Sequence, residues 1–175
     1  SAAVTAGNIE VHGYGDMAGI AIGATTDVTV AVTGAIYTDQ DDIADNNYGI
    51  SVTTGAVPAG TIDIDVTGSI ITQDGHYAIG VYASGGGLID INIDGNVSVT
   101  QGADGVDYGW GIYAINTGGS NITIVVDDVS VDQDGSLLGG GDGIVAYTVG
   151  VTDITAEDVT TTGYYADGIL VGGNL

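Results

Sequence analysis

A glycine followed by a β-branched residue recurs six times along this 175-residue chain: Gly19-Ile20, Gly49-Ile50, Gly80-Val81, Gly111-Ile112, Gly143-Ile144 and Gly168-Ile169. The successive spacings are 30, 31, 31, 32 and 25 residues. A near-constant period of this length is the mark of one structural unit stacked on copies of itself. A chain built this way folds as a solenoid or an array, and function has to be sought on its repeated faces.

The unit between Gly60 and Gly85 shows what is being repeated. Residues 61–67 alternate strictly, which puts Ile62, Ile64 and Val66 on one face and Asp63, Asp65 and Thr67 on the other. A second short strand over 69–72 is closed by Gln73-Asp74-Gly75. A third, over 78–83, carries the Gly-Val mark and is closed by Ser84-Gly85-Gly86-Gly87. Neighbouring units repeat the triplet, with first strands at 28–32, 88–93, 122–126 and, more weakly, 154–156. Each unit alone exposes an apolar face and two strand edges; stacking pairs the edges and closes one core. The expected fold is therefore all-β: a single-domain parallel β-solenoid over residues 1–175, right-handed, with three-stranded coils in about six rungs of about 31 residues. A sandwich or hairpin barrel would explain short strands but not the period. The pattern begins and ends part-way through a unit, so the ends are expected to be uncapped.

Composition agrees and narrows function. Val, Ile, Ala and Thr dominate beside 32 Gly and a single Pro, a strand-and-turn composition. No stretch carries a sustained helical stripe, so almost no helix is expected. The chain has no Lys or Arg against 23 acidic residues, a formal charge of −23. Without cations it cannot neutralise phosphates, which argues against nucleic acid and against direct binding to anionic membranes. Internal ion pairs are limited to His12, His76 and the N-terminus. Trypsin has no site at all, which suits exposure outside a cell. There is no Cys, hence no disulfide or thiolate metal site.

The residues Gly95-Asn96-Val97-Ser98-Val99 with Gly111-Ile112-Tyr113-Ala114, and Gly68-Ser69-Ile70 with Ala78-Ile79-Gly80-Val81, follow a pattern G-x-[IV]-x-V-x-x-x-G, a turn, then A-x-G-[IV]. This resembles the β-helical passenger regions of bacterial autotransporter-type surface proteins, along nearly the whole chain. The resemblance implies secretion and display at the cell surface as a structural fibre or adhesin.

Candidate chemistry lies with the acids and the aromatics. In a stacked register Asp63 lies over Asp90 and Asp65 over Asn92, with Asp94 and Asp127 near each other one coil on. Carboxylates one rung apart repel by roughly 1 kcal/mol in water and more at lower dielectric. Ca²⁺ is the natural counter-ion for such a face, because it accepts six to eight oxygens in irregular geometry. Asp39, Asp41, Asp42 and Asp45, and then Asp132 and Asp134, form second loop clusters. None has EF-hand spacing, and the bland alternative is a solvated acidic face that keeps a fibre soluble. His12 and His76 fall two coils apart and read as turn residues.

Tyr82 and Tyr113 hold the same outward place on adjacent third strands, and Trp110 lies just before it, with Tyr48, Tyr77 and Tyr108 nearby. Such rings stabilise a sheet face by stacking, and exposed ones also contact proteins or sugars. Paired carboxylates raise the option of a carbohydrate-active β-helix enzyme. The acids are spread along the chain, however, and no basic residue is available, so no catalytic residues are assigned. The expectation is an extracellular, non-enzymatic solenoid that assembles end to end with itself or within a longer solenoid. The alternative is a glycan- or receptor-binding adhesin segment using the Tyr faces.

Overall fold

The computed structural model describes residues 1–41, 45–56, 59–101, 108–133, 140–163 and 165–173. Among these there is no helix. The strands are β1 (Ala2–Ala6), β2 (Ile9–Gly13), β3 (Met17–Ala24), β4 (Val28–Val32), β5 (Ile36–Gln40), β6 (Asn46–Thr54), β7 (Ile62–Val66) and β8 (Ile70–Gln73). They continue as β9 (Tyr77–Gly85), β10 (Ile89–Ile93), β11 (Val97–Gln101), β12 (Tyr108–Asn116), β13 (Ile122–Gln133), β14 (Gly141–Tyr147), β15 (Thr152–Thr162) and β16 (Ile169–Gly172).

Every pairing is parallel, and every partner is one coil away in sequence. The third strands form one six-stranded sheet, in the order β16-β14-β12-β9-β6-β3. The first and second strands form the other sheet, in the order β1-β4-β7-β10-β13-β11-β8-β5-β2, with β15 joined to β13. This is a parallel β-solenoid. The interior is a set of apolar columns, such as Val28–Ile62–Ile89–Ile122 and Val30–Ile64–Ile91–Ile124, all buried. Each buried Ile or Val contributes about 1.5–3 kcal/mol relative to exposure.

Two details differ from the sequence expectation. The rungs are not six equivalent ones. About four turns, from β4 to β14, have fully buried inward faces, while β1, β2, β15 and β16 pair on one side only and are half-covered. The coils also stop being three-stranded. In the earlier coils a glycine separates the first and second strands: Gly34, Gly68 and Gly95. Added Cβ atoms at Gly68 and Gly95 would lie 2.5 Å and 2.7 Å from the carbonyl oxygens of Gly34 and Gly68. The next coil has only Asp127-Asp128 between Val126 and Val129, one residue fewer. With no extra residue to loop out, first and second strands fuse into β13, and the same happens in β15.

The Gly-Ile beat has a steric cause. The glycines occupy one column of the third-strand sheet. A Cβ at Gly49, Gly80 or Gly111 would sit 2.3–2.4 Å from a γ-methyl of Ile70, Val97 or Val129, and 2.5–2.6 Å from the next glycine's carbonyl oxygen. The second strand of the following coil thus presses its β-branched side chain directly on bare backbone. The glycine also breaks the alternation. Pairing runs Tyr48↔Ile79 and then Ile50↔Val81, and both Gly49 and Ile50 face inward and are buried. Side chains three residues apart across the glycine therefore share the outer face.

Candidate functional site

That phase change assembles an aromatic platform on the third-strand sheet. Trp110 and Tyr113, three residues apart, have ring centroids 5.2 Å apart. Tyr82 and Tyr113 stack at 5.9 Å and 9°. Tyr77, Tyr108 and Trp110 form a triplet with mutual centroid distances of 5.6, 5.7 and 5.8 Å and planes within 14° of parallel. Three nearly equal distances mean that no ring is sandwiched between the other two, so the triplet is tiled. Tyr48 adjoins Tyr82 at 6.1 Å, Tyr147 adjoins Tyr113 at 6.3 Å, and His76 meets Tyr77 edge-on at 4.5 Å. All seven Tyr and Trp residues are half-buried. The sequence reading picked Tyr82, Tyr113 and Trp110, and the structure brings them into one cluster.

The platform has an acidic rim. The Trp110 indole N–H donates to Asp142 Oδ2 at 3.2 Å, and the Asp167 backbone N–H donates to Asp142 Oδ1 at 3.0 Å. Burial, the neighbouring Tyr147 and Tyr82, and the charge of Asp142 push the Tyr113 hydroxyl above the ordinary phenol range. Burial, Tyr82 and the charge of Asp16 do the same for Tyr48. Both phenols are neutral donors at physiological pH.

Buried glutamines hold the platform's starting edge. Gln101 Nε2 donates to the Gly75 and Tyr108 carbonyls at 3.2 Å and 2.8 Å, and Gln133 Nε2 donates to Gln101 Oε1 at 2.6 Å. Gln40 Nε2 reaches the Gly15 carbonyl at 2.8 Å in the same manner. Sequence reasoning does not connect these glutamines, Tyr147 or Asp142 with the aromatic face. The signal was present: Gln closes successive second strands, and Asp142 holds the place before the repeating glycine that Trp110 holds one coil earlier.

The acidic face is more interrupted than expected. Asp63 pairs with Asp90 and Asp65 with Asn92, as the register predicted. Asn92 Nδ2 donates to Asp65 Oδ1 at 3.3 Å. Thr29 and Thr123 flank the Asp63–Asp90 pair, so that ladder is only two carboxylates long. Desolvation, then the charges of Asp65 and Asp90, raise the Asp63 carboxyl above its usual range. Asp94 and Asp127 follow the paired residues Ile93 and Val126. Asp39 lies beside an imidazole, with His12 Nδ1 3.3 Å from its Oδ2, while the Tyr37 hydroxyl, 3.4 Å from Asp39, makes its shorter contact, 2.5 Å, with Gln73 Oε1. Asp41 is exposed and Asp45 half-buried. Asp132 accepts from the Thr162 hydroxyl. Asp42 and Asp134 lie outside the described residues. Among the described residues, no three Asp, Glu or His side chains converge on a common point fit for a metal ion.

One depression, about 590 Å³, is lined by Ser1, Ala2, Gly23, Ala24, Thr25, Thr26, Thr53, Thr54 and Gly55, with no carboxylate or imidazole side chain among them. No protein-family model, no curated protein and no solved structure matches this chain. What it can do chemically has to be argued from its own faces: an aromatic tile with acceptors at its rim, and stacked strands.

Proposed function

We propose that this chain is a structural, non-enzymatic solenoid segment of an extracellular surface fibre or adhesin, lengthened by coil-on-coil strand pairing. One observation carries the reading: the core columns run through to the outermost described coils without closing. Ile169 continues the column of Ile144, and Val171 that of Ala146, yet they are 49% and 52% exposed. Among the described residues β16 pairs only with β14, and at the other end β3 pairs only with β6. A parallel strand with one free edge and an uncovered apolar face is a template for another such strand. The coil that completes it belongs to the same architecture, in a second copy or a longer solenoid. Ca²⁺ assists by screening the Asp faces of like-charged neighbours. The absence of trypsin sites suits an extracellular setting.

The test is electron microscopy of the purified protein beside an Ile169→Asp/Val171→Asp variant. Rods should form with the parent protein and be lost with the variant, whose two sites are already half-exposed and so tolerate charge. Particles of one short length in both samples would sink the reading.

A further inference from the structure

The aromatic platform packs ring on ring between successive coils, and its chemistry also points to a partner. Contiguous clusters of large rings that are half open to solvent are candidate interaction surfaces. This one spans successive coils through Tyr48, Tyr82, Tyr113, Trp110, Tyr77 and Tyr108. In the tiled triplet no ring is enclosed between the other two. Negative charge sits at its edge, where Asp142 accepts from the Trp110 indole N–H; Asp16, which accepts from the Asn46 backbone N–H, lies toward Tyr48. The chain supplies no Lys or Arg to these rings, and the one imidazole beside them is His76 against Tyr77. The whole molecule at −23 adds a long-range field of the same sign.

From this geometry we infer that the third-strand face is a docking surface for an arginine-rich protein segment, whose guanidinium groups pack on the Tyr77–Tyr108–Trp110 tile while Asp142 at its edge neutralises them. Aromatic faces attract cations through the ring quadrupole, and the planar guanidinium stacks on them better than an ammonium. A neutral sugar would use the rings but gain nothing from the acidic rim or the field. Charge complementarity therefore favours the cationic occupant.

Trp110 is the only tryptophan, so its fluorescence reports the site directly. The experiment titrates the protein with a triarginine peptide, a trilysine peptide and a neutral β-linked hexaglucan, at low and high salt. Triarginine should shift or quench Trp110 saturably, bind several-fold tighter than trilysine, and weaken as salt rises. A Tyr77→Leu/Tyr108→Leu variant keeps the net charge and should lose roughly tenfold in triarginine affinity. An Asp142→Asn variant, which retains an acceptor for the indole, should lose several-fold and guards against a folding defect in the first. Equal affinity for the two peptides, or unchanged affinity in both variants, would reduce the effect to general attraction by an acidic surface and overturn the assignment. Saturable binding of the hexaglucan with none of triarginine would overturn it in favour of a glycan.

Discussion

Asp63 has Asp90 directly opposite it on the next strand and Asp65 two residues on. Partial desolvation and these two charges raise its carboxyl above the ordinary value of 3.8. A raised carboxyl means that the folded chain holds the proton more tightly than the unfolded one. Stability from this group is therefore greatest below 3.8 and falls as pH rises through the folded-state value. Asp63→Asn removes the repulsion and can donate to Asp90, as Asn92 donates to Asp65. Urea denaturation should show the variant more stable at pH 7 by a few tenths to about 1 kcal/mol, with the gain fading below the ordinary Asp range. A loss of stability at pH 7 would show that Asp63 is held by a favourable contact instead. His12 has the opposite linkage: hydrogen bonds to Glu10 and Asp39 raise it above 6.5, so its contribution is present below that value and is lost as pH rises through the folded-state value.

The third strand is the element on which the coil's tight packing depends. At Gly80 an added methyl would lie 2.4 Å from Val97 Cγ1 and 2.6 Å from the Gly111 carbonyl oxygen, and that backbone atom cannot swing away. At Gly168, in the outermost coil, the nearest atom is Val159 Cγ1 at 4.0 Å. Gly80→Ala should cost about 3 kcal/mol or more, while Gly168→Ala stays within about 0.5 kcal/mol of the parent; thermal melts of both would check this. Equal effects would mean that the glycines are kept for backbone freedom rather than for space. The strands themselves were legible in the sequence, because Ile62-Asp63-Ile64-Asp65-Val66 can bury only one face. The fused β13 was not, since its cause is a single missing residue beside Asp127, which reads as an ordinary variation in spacing. The aromatic cluster was half legible. Tyr82 and Tyr113 fall at matching positions, but strict alternation places Trp110 on the opposite face from Tyr113. Only the two consecutive inward residues at Gly111-Ile112 bring the rings together. In the acidic loops the sequence could not show that Asp39 lies beside His12 of the preceding coil, a contact set by the parallel register.

At the scale of the molecule, two terms oppose each other when one solenoid end meets another. Pairing the free edges of β16 and β3 and covering residues such as Ile169 and Val171 favours association. The charge of −23 on each copy resists it, and that resistance is screened over about 10 Å at 0.1 M salt. Association should therefore strengthen as ionic strength rises, the reverse of a contact held by opposite charges, and Ca²⁺ should act at far lower concentration than Na⁺. Sedimentation velocity of the purified chain across a salt and CaCl₂ series measures this balance directly. The account predicts a distribution that shifts from short particles to progressively longer rods as screening increases. A single monomeric species at every salt and calcium concentration, up to the highest protein concentration reached, would contradict it.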